Sequence, residues 1–318
     1  MSNSSDIVPQ SGPGSATPAT MATESAVIDR RYRPRPYYWS VRRELWENRS
    51  LYIVPMIVAA VILLGMLVSA NHFPERRRMA LLLDPAHERA AIQLPYDIAA
   101  VMLILTAFVV GLFYCLDALY GERRDRSILF WKSLPVSDFA TVLSKATIPL
   151  VVLPIVTFAI VIVTQFIMLL ISSAALLPSG LAGTTWANLN LFQQCVILLY
   201  GLIVVALWHA PVYGWALFIS GLVRRAAFLW AVLPFLAISI FEKITFNTTH
   251  FLSMIKQRVF GAGEGAFDFN PHHNIAIDSL SQLTPGRFLS TPGLWIGLIA
   301  FAVFLIAAVR LRRYRGPI

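Results

Sequence analysis

Six long apolar runs constrain this chain more than any other feature of its sequence. A helix needs about 20 apolar residues to cross the hydrocarbon core of a bilayer. Only 14% of the residues are charged, against about 25% in a soluble protein. We therefore predict an all-α integral membrane protein in which residues 37–318 form one domain of six transmembrane helices. The predicted spans are 51–70, 98–116, 146–171, 191–221, 226–241 and 291–309.

Basic residues flank these runs asymmetrically. If six spans alternate, 18 of the 26 Lys and Arg residues fall on the side of the N-terminus. The positive-inside rule then predicts that both termini are cytoplasmic. The net charge of +9 is explained by topology and anionic lipid headgroups, and no nucleic acid is expected as a partner. One exception is the outer run Arg76, Arg77 and Arg78, which the sequence does not explain.

The segment before the first span has two parts. Residues 1–36 are rich in small and polar residues and are predicted to be a disordered cytoplasmic tail with a basic linker. Residues 37–50 are predicted to form a short interfacial helix, because Tyr38, Val41 and Leu45 recur at helical spacing. The alternative is a simple extension of the first span. The side chains suited to the headgroup layer are Trp39, Arg42, Arg43 and Trp46.

The predicted spans contain almost no strongly polar side chains. Gln165 and His209 are the exceptions deep in apolar sequence. Pro211 follows His209 closely and is expected to kink or end that helix, since proline removes a backbone hydrogen bond. His209 is then expected to cap the carbonyls freed by the kink, with a pore or substrate contact as the alternative. The scarcity of charge argues against an ion-coupled secondary transporter.

Motifs of enzymes and of nucleotide binding are missing from the sequence. There is no phosphate-binding loop, no nucleophile elbow and no cysteine pair with zinc spacing. We therefore expect no catalytic activity and no cofactor in this chain. Four residues near one another in the sequence are candidate metal ligands, although adjacent loop histidines are more often ordinary polar residues. The candidates are Asp268, His272, His273 and Asp278.

The densest charge cluster between spans lies in the loop at residues 117–145. A short helix with Ile128 and Trp131 on one face is predicted to follow the charges, and Pro135 should end it. Ser137 is placed to cap the next helix. Phe130 beside Trp131 suits a groove on a cytoplasmic partner, or alternatively the headgroup layer. The charged residues are Glu122, Arg123, Arg124, Asp125 and Arg126.

This loop and the start of the membrane domain resemble bacterial ABC-2 type transporter permeases. The similarity lies in residues 120–127 (YGERRDRS), residues 133–137 (SLPVS) and residues 42–50 (RRELWENRS). It implies a membrane subunit of an ATP-driven exporter in the bacterial cytoplasmic membrane, with a connecting helix before span one. The loop would carry the coupling helix that docks on the ATPase. Its residues would be Glu122, Arg123, Arg124, Asp125, Arg126, Phe130, Trp131, Leu134 and Pro135.

The resemblance also implies partners. Two permeases, identical or different, would pair with two cytoplasmic ATPase subunits that hydrolyse ATP, within the membrane lipids. Family members often carry a re-entrant external helix between spans five and six, for which residues 244–260 are the candidate. Two other functions stay open from the residues alone: an ion-coupled secondary transporter, and a membrane scaffold or assembly protein that transports nothing. The substrate cannot be read from the sequence.

Overall fold

A computed structural model describes residues 36–127, 129, 137–188, 190–268 and 279–314 of the protein. Helices dominate these ranges, and none of their residues belongs to a β-strand. Six of the helical segments are long and apolar enough to cross a membrane. The chain is therefore a multi-pass, all-α membrane protein, as the apolar runs predicted.

The helices are numbered here in chain order. The first two spans are α2 and α4, and the third span is formed by α6 and α7. The last three spans are α9, α10 and α13. The bounds are α1 Pro36–Glu47, α2 Ser50–Val68, α3 Phe73–Ala80, α4 Pro85–Ala118, α5 Tyr120–Arg124, α6 Asp138–Thr147, α7 Leu153–Leu176, α8 Ala182–Asn188, α9 Leu191–Leu222, α10 Ala227–Phe246, α11 His250–Phe260, α12 Pro285–Leu289 and α13 Pro292–Tyr314.

The third span contains a short wide turn between α6 and α7. Residues Ile148–Val152 form one π-helical segment. Pro149 lies within it and Pro154 follows at the start of α7. Proline lacks the amide hydrogen that the α-helical pattern requires, and such local changes of pitch satisfy the freed groups. The span therefore continues from Asp138 to Ser179, longer at both ends than predicted.

Helix α9 lies at the centre of the bundle. Its buried residues contact α4 and the π-helical segment, and Leu217 belongs to the largest apolar cluster together with Tyr114 and Ile148. Gly214 permits α13 to approach closely, because a Cβ atom there would lie 2.7 Å from Cδ2 of Phe301. By contrast, only Ala227 and Ala231 are buried in α10. Most of α10 is therefore exposed in this single chain.

Two boundaries differ clearly from the sequence predictions. Helix α9 runs unbroken from Leu191 to Leu222, so of the two outcomes expected at Pro211, a kink or an end, the end does not occur. Close packing on both sides holds the helix together there, since His209 and Tyr213 are buried. Helix α4 begins at Pro85 and continues through Pro95, well before the predicted residue 98. The extra turns pack against α3 and α7 rather than forming a loop.

Helix α11 folds back beside α10 at the end of the bundle where α10 finishes. The carboxylate of Glu242 accepts hydrogen bonds from the Thr248 hydroxyl (2.7 Å) and from the amides of His250 and Phe251 (both 2.8 Å). These bonds satisfy orphan donors at the start of α11. The rings of Phe235 and Phe251 then stack with centroids 6.2 Å apart. A helical hairpin therefore occupies much of the 244–260 segment.

The C-terminal end of α11 is anchored between α9 and α13. Arg258 donates from Nη1 to the carbonyl of Gly293 at 3.0 Å. Its guanidinium carbon lies 4.6 Å from the ring centre of Trp208. A Cβ atom on Gly297 would lie 1.6 Å from Arg258 Nη2. The guanidinium therefore fills a notch that exists only because residue 297 is glycine.

Candidate functional site: a buried ion-pair cluster

At the opposite end of the bundle, charged side chains from four helices meet in a buried cluster. Burial of charge is costly unless the groups are paired and hydrogen-bonded. Here α1, α5, α6 and α13 each contribute at least one charge, and all four contributions are paired. We call this the ion-pair cluster. Its members are Arg43, Glu44, Glu122, Asp138, Lys145 and Arg312.

Lys145 stands between two carboxylates. Its Nζ atom lies 2.8 Å from Oε1 of Glu44 and 3.1 Å from Oε1 of Glu122. The Tyr114 hydroxyl donates to Oε2 of Glu44 at 2.9 Å, and Arg43 Nη2 lies 2.8 Å from Oε1. Glu44 is only 2% exposed. This carboxylate therefore joins α1 to α4 and α6.

Arg312 joins the last span to the same site. Its Nη1 atom lies 2.5 Å from Oε2 of Glu122, and its Nε atom lies 3.0 Å from Oδ1 of Asp138. Arg43 approaches Glu122 from the other side at 3.5 Å. Glu122 therefore contacts cations from α1, α6 and α13, which are distant in sequence.

The short helix α5 is also bound to the end of α9. Arg123 donates from Nη1 to the carbonyls of Gly221 (2.8 Å) and Val223 (3.1 Å). A cation suits this position because the last carbonyls of a helix carry partial negative charge. Ser220 Oγ accepts from the amides of Leu119 (3.0 Å) and Tyr120 (2.8 Å). Helix α5 and the residue before it are thus attached to the end of α9 and the residue after it by four hydrogen bonds.

The surroundings of Glu44 favour its ionised form. Burial alone would raise its pKa, but the ion pair and hydrogen bond with Lys145, the charge of Arg43 and the Tyr114 hydroxyl outweigh it. The pKa of Glu44 therefore lies below its ordinary 4.5. For Glu47 in the same helix, burial outweighs the attraction of Arg43 and Lys145, so the pKa of Glu47 is raised. The difference reflects the pairing of the two carboxylates, since Lys145 and Tyr114 bond Glu44 directly.

The predicted coupling loop is attached to the cluster at both ends. Glu122 and Arg123 hold its beginning. At its end, Ser137 caps α6 by accepting from the amide of Ala140 at 3.1 Å, as predicted, and Asp138 pairs with Arg312. The predicted partner-facing residues of this loop lie outside the described residues. They are Ile128, Phe130, Trp131, Leu134 and Pro135.

The five neighbouring charged residues of this loop differ in burial. Glu122 and Arg123 are buried, whereas Arg124, Asp125 and Arg126 are exposed. Glu122 and Arg123 of the predicted coupling loop therefore hold helices together inside the bundle. Arg124 pairs with its neighbour Asp125 at 3.0 Å.

A separate helix, α1, precedes the first span, and the residues predicted to face the headgroups play different parts in it. Trp39 and Trp46 are exposed, and Arg42 lies over both rings. Arg43 was predicted to face the headgroups together with them. Instead it turns toward the bundle and pairs with carboxylates of the ion-pair cluster.

Gln165 and His209 serve two separate helix contacts. Gln165 is buried, and its Nε2 atom lies 3.4 Å from the carbonyl of Tyr96 in α4. The ring nitrogens of His209 lie 2.8 Å from the carbonyl of Val205 and 3.0 Å from that of Val259. Neither carbonyl is the one that Pro211 frees. His209 thus links α9 to α11 instead of capping a kink.

Three central residues of the cluster were absent from the predicted site. Glu44, Lys145 and Arg312 each lie three or four positions from a buried or partly buried apolar residue on the same helix face. Their neighbours are Val41, Val142 and Ala308, respectively, of which the last two are almost fully buried. A charge within an apolar stripe is the signal that could have found them. Lys145 and Arg312 lie just outside the predicted spans 146–171 and 291–309, within the longer membrane helices of the structure.

Other chemistry is limited in the described parts of the chain. Within them, no three His, Cys, Asp or Glu side chains are grouped so that they could hold a metal ion. Three of the four candidate metal ligands lie outside the described residues, namely His272, His273 and Asp278. The structure thus defines a multi-pass membrane protein with a buried ion-pair cluster at one end of its bundle. The chain matches no family model, no curated protein and no solved structure.

Proposed function

We propose that the chain is the permease subunit of an ATP-driven exporter in a bacterial cytoplasmic membrane. One observation carries the proposal. The loop between spans two and three begins and ends on the ion-pair cluster, and this cluster joins four helices. Such a loop is built to pass a displacement into the membrane domain. The likeness of residues 120–127 and 133–137 to ABC-2 type permeases supports the same function.

The mechanism follows from the attachment of the loop. An ATPase that changes shape with nucleotide can drive the permease only if its contacts differ in free energy between its two states. Movement at residues 125–137 is passed to α5 and α6. Glu122 and Arg312 carry it on to α13, and Arg123 carries it to α9. Two permease copies would then alternate between inward and outward access.

The apolar and the charged residues of the loop have different roles in this mechanism. Phe130 and Trp131 would occupy a groove on the ATPase, with Leu134 and Pro135 shaping the segment. Exposed Arg124, Asp125 and Arg126 would form polar contacts at the rim of that interface. Hydrolysis would belong to the partner, because this chain has no phosphate-binding loop.

The proposal is tested by purifying the tagged full-length chain from its native membrane in mild detergent. A soluble ATPase should be recovered with it. The double variant Phe130→Ala/Trp131→Ala should lose the ATPase and remain folded. The matched control is Phe192→Ala/Trp186→Ala, which removes the same ring types at the opposite end of the bundle and should retain it. Recovery of the chain alone, even after crosslinking, would refute the proposal.

One observation favours a second candidate function. Lys145 lies in a membrane helix and is buried between two carboxylates, and buried ionisable groups in spans often mark ion or proton pathways. An ion-coupled transporter would move its substrate in vesicles with an ion gradient and no ATP. Transport that requires ATP and a cytoplasmic ATPase would exclude it.

A further inference from the structure

We propose that the exposed face of α1 binds the headgroup of an anionic phospholipid and that Arg42 is the contact for its phosphate. The inference goes beyond export and does not depend on it, because it concerns only the membrane domain and its bilayer. It is carried by Trp39, Arg42 and Trp46, which we call the aromatic clamp.

The aromatic clamp has a defined geometry. Trp39 and Trp46 are 56% and 64% exposed. They stand seven residues apart, or about 10 Å along the helix axis. The guanidinium carbon of Arg42 lies 5.2 Å from the ring centre of Trp39 and 4.6 Å from that of Trp46. Contact with two rings restricts the position of this partly exposed cation.

The charge of Arg42 is not compensated within the described residues. Arg43, its neighbour, pairs with Glu44, Glu47 and Glu122. No carboxylate in the described ranges lies within 4.0 Å of the Arg42 guanidinium; the ion pairs of α1 all involve Arg43 or Glu44. One face of α1 is therefore neutralised inside the protein, and the other presents an unpaired cation.

The orientation of this face is set by the rest of α1. Val41 and Leu45 pack against the main apolar cluster. Glu44 is held by Lys145 and Tyr114. Helix α1 cannot turn about its axis without breaking these buried contacts. Since α2 begins at Ser50 and enters the membrane, the aromatic clamp stays at the level where the first span starts.

The chemistry of the clamp selects the lipid class. A guanidinium can donate two parallel hydrogen bonds to a phosphate. Tryptophan rings suit the interface because the ring is apolar and its N–H can donate to headgroup oxygens. A zwitterionic headgroup brings its own ammonium near the phosphate, whereas an anionic headgroup leaves the phosphate charge uncompensated. A basic residue near the membrane surface therefore favours anionic lipid.

The test is a lipid titration of the purified full-length chain, followed by native mass spectrometry. The probes are phosphatidylglycerol and phosphatidylcholine with identical acyl chains. Wild type should bind phosphatidylglycerol more tightly. Arg42→Gln should weaken that affinity about fivefold and leave phosphatidylcholine unchanged. Arg42→Lys, which keeps the charge but loses the planar stacking, should fall between them.

The control is Arg124→Gln. Arg124 also lies over an aromatic ring, that of Tyr120 at 5.6 Å, but its charge is paired with Asp125, so lipid affinity should not change. Equal affinities of wild type and Arg42→Gln would overturn the proposal. So would an equal loss in Arg124→Gln, or displacement of phosphatidylglycerol by millimolar inorganic phosphate, which indicates a free-anion site. The ATPase has no part in this assay, so its outcome is separate from that of the export proposal.

Discussion

Lys145 Nζ lies 2.8 Å from Glu44 Oε1, between residues 101 positions apart in the chain. Both side chains are buried. The pair joins the helix that precedes the membrane domain to the start of the third span. Because a buried charge that loses its partner is expensive, this contact gives the sharpest prediction about stability.

Lys145→Met should lower the free energy of unfolding in detergent by about 3–5 kcal/mol. It removes the buried cation between the carboxylates of Glu44 and Glu122 and leaves only the more exposed Arg43 near both. Lys243→Met removes an exposed lysine from α10 and should change stability little. The double variant Glu44→Leu/Lys145→Met should recover part of the loss, since an apolar pair of similar volume avoids the buried charge. Equal stability of Lys145→Met and wild type would contradict the ion-pair account.

Acid should weaken the bundle through Glu44. Its pKa is lower in the folded protein than the ordinary 4.5. The stabilisation is therefore complete above pH 4.5 and is lost as the pH falls through the lower, folded-state pKa. Melting temperatures measured in detergent from pH 7 to pH 3 should fall in the acid range. The fall should be smaller in Glu44→Gln; an identical fall in both proteins would assign the acid sensitivity to other groups.

Ser220→Ala should destabilise the attachment of α5 to α9. The hydroxyl oxygen accepts from one buried and one part-buried backbone amide, and its removal leaves both without this acceptor at a cost of about 1–3 kcal/mol. Ser239→Ala is the matched control, because among the described residues that hydroxyl bonds only to the Phe235 carbonyl of its own helix. Thermal unfolding in detergent should separate the two variants. If export is ATP-driven, Ser220→Ala should also reduce transport per ATP hydrolysed.

Gly297→Ala should release the end of α11. The new methyl would lie 1.6 Å from Arg258 Nη2, so the guanidinium must leave the notch and give up its contacts with Gly293 and Trp208. We expect a loss of about 1–2 kcal/mol, together with faster hydrogen exchange in residues 250–260. Gly293→Ala, four residues earlier in the same helix, places its methyl no closer than 3.8 Å. It should keep wild-type exchange; faster exchange in Gly293→Ala as well would contradict the notch account.

Hydropathy predicted the six spans because it depends on single stretches of sequence. The positions of 51–70 and 191–221 agree closely with Ser50–Val68 and Leu191–Leu222. Helix ends were less predictable. Pro211 disrupts one hydrogen bond, but buried contacts on both sides keep α9 continuous. Local rules for proline do not include that packing energy.

The candidate site was only half visible in the sequence. The predicted loop held Glu122 and Arg123, yet nothing in its spacing showed that they turn inward. Lys145 lies 101 positions from its partner Glu44, and Arg312 lies 190 positions from its partner Glu122. A charge near a helix end is equally compatible with water, with lipid headgroups and with an ion pair. Only the positions of its neighbours decide among them.

The sequence by itself determined the class of this protein, because too few polar residues are present to cover a soluble fold and six runs are long enough to span a bilayer. It also determined the cap at Ser137, which depends on neighbouring residues alone. The tertiary structure decided which charges are buried. Arg42 and Arg43 are adjacent and chemically identical, yet one faces outward between two indole rings and the other enters the ion-pair cluster. Helix rotation and the carboxylates supplied by α1 and α5 separate them.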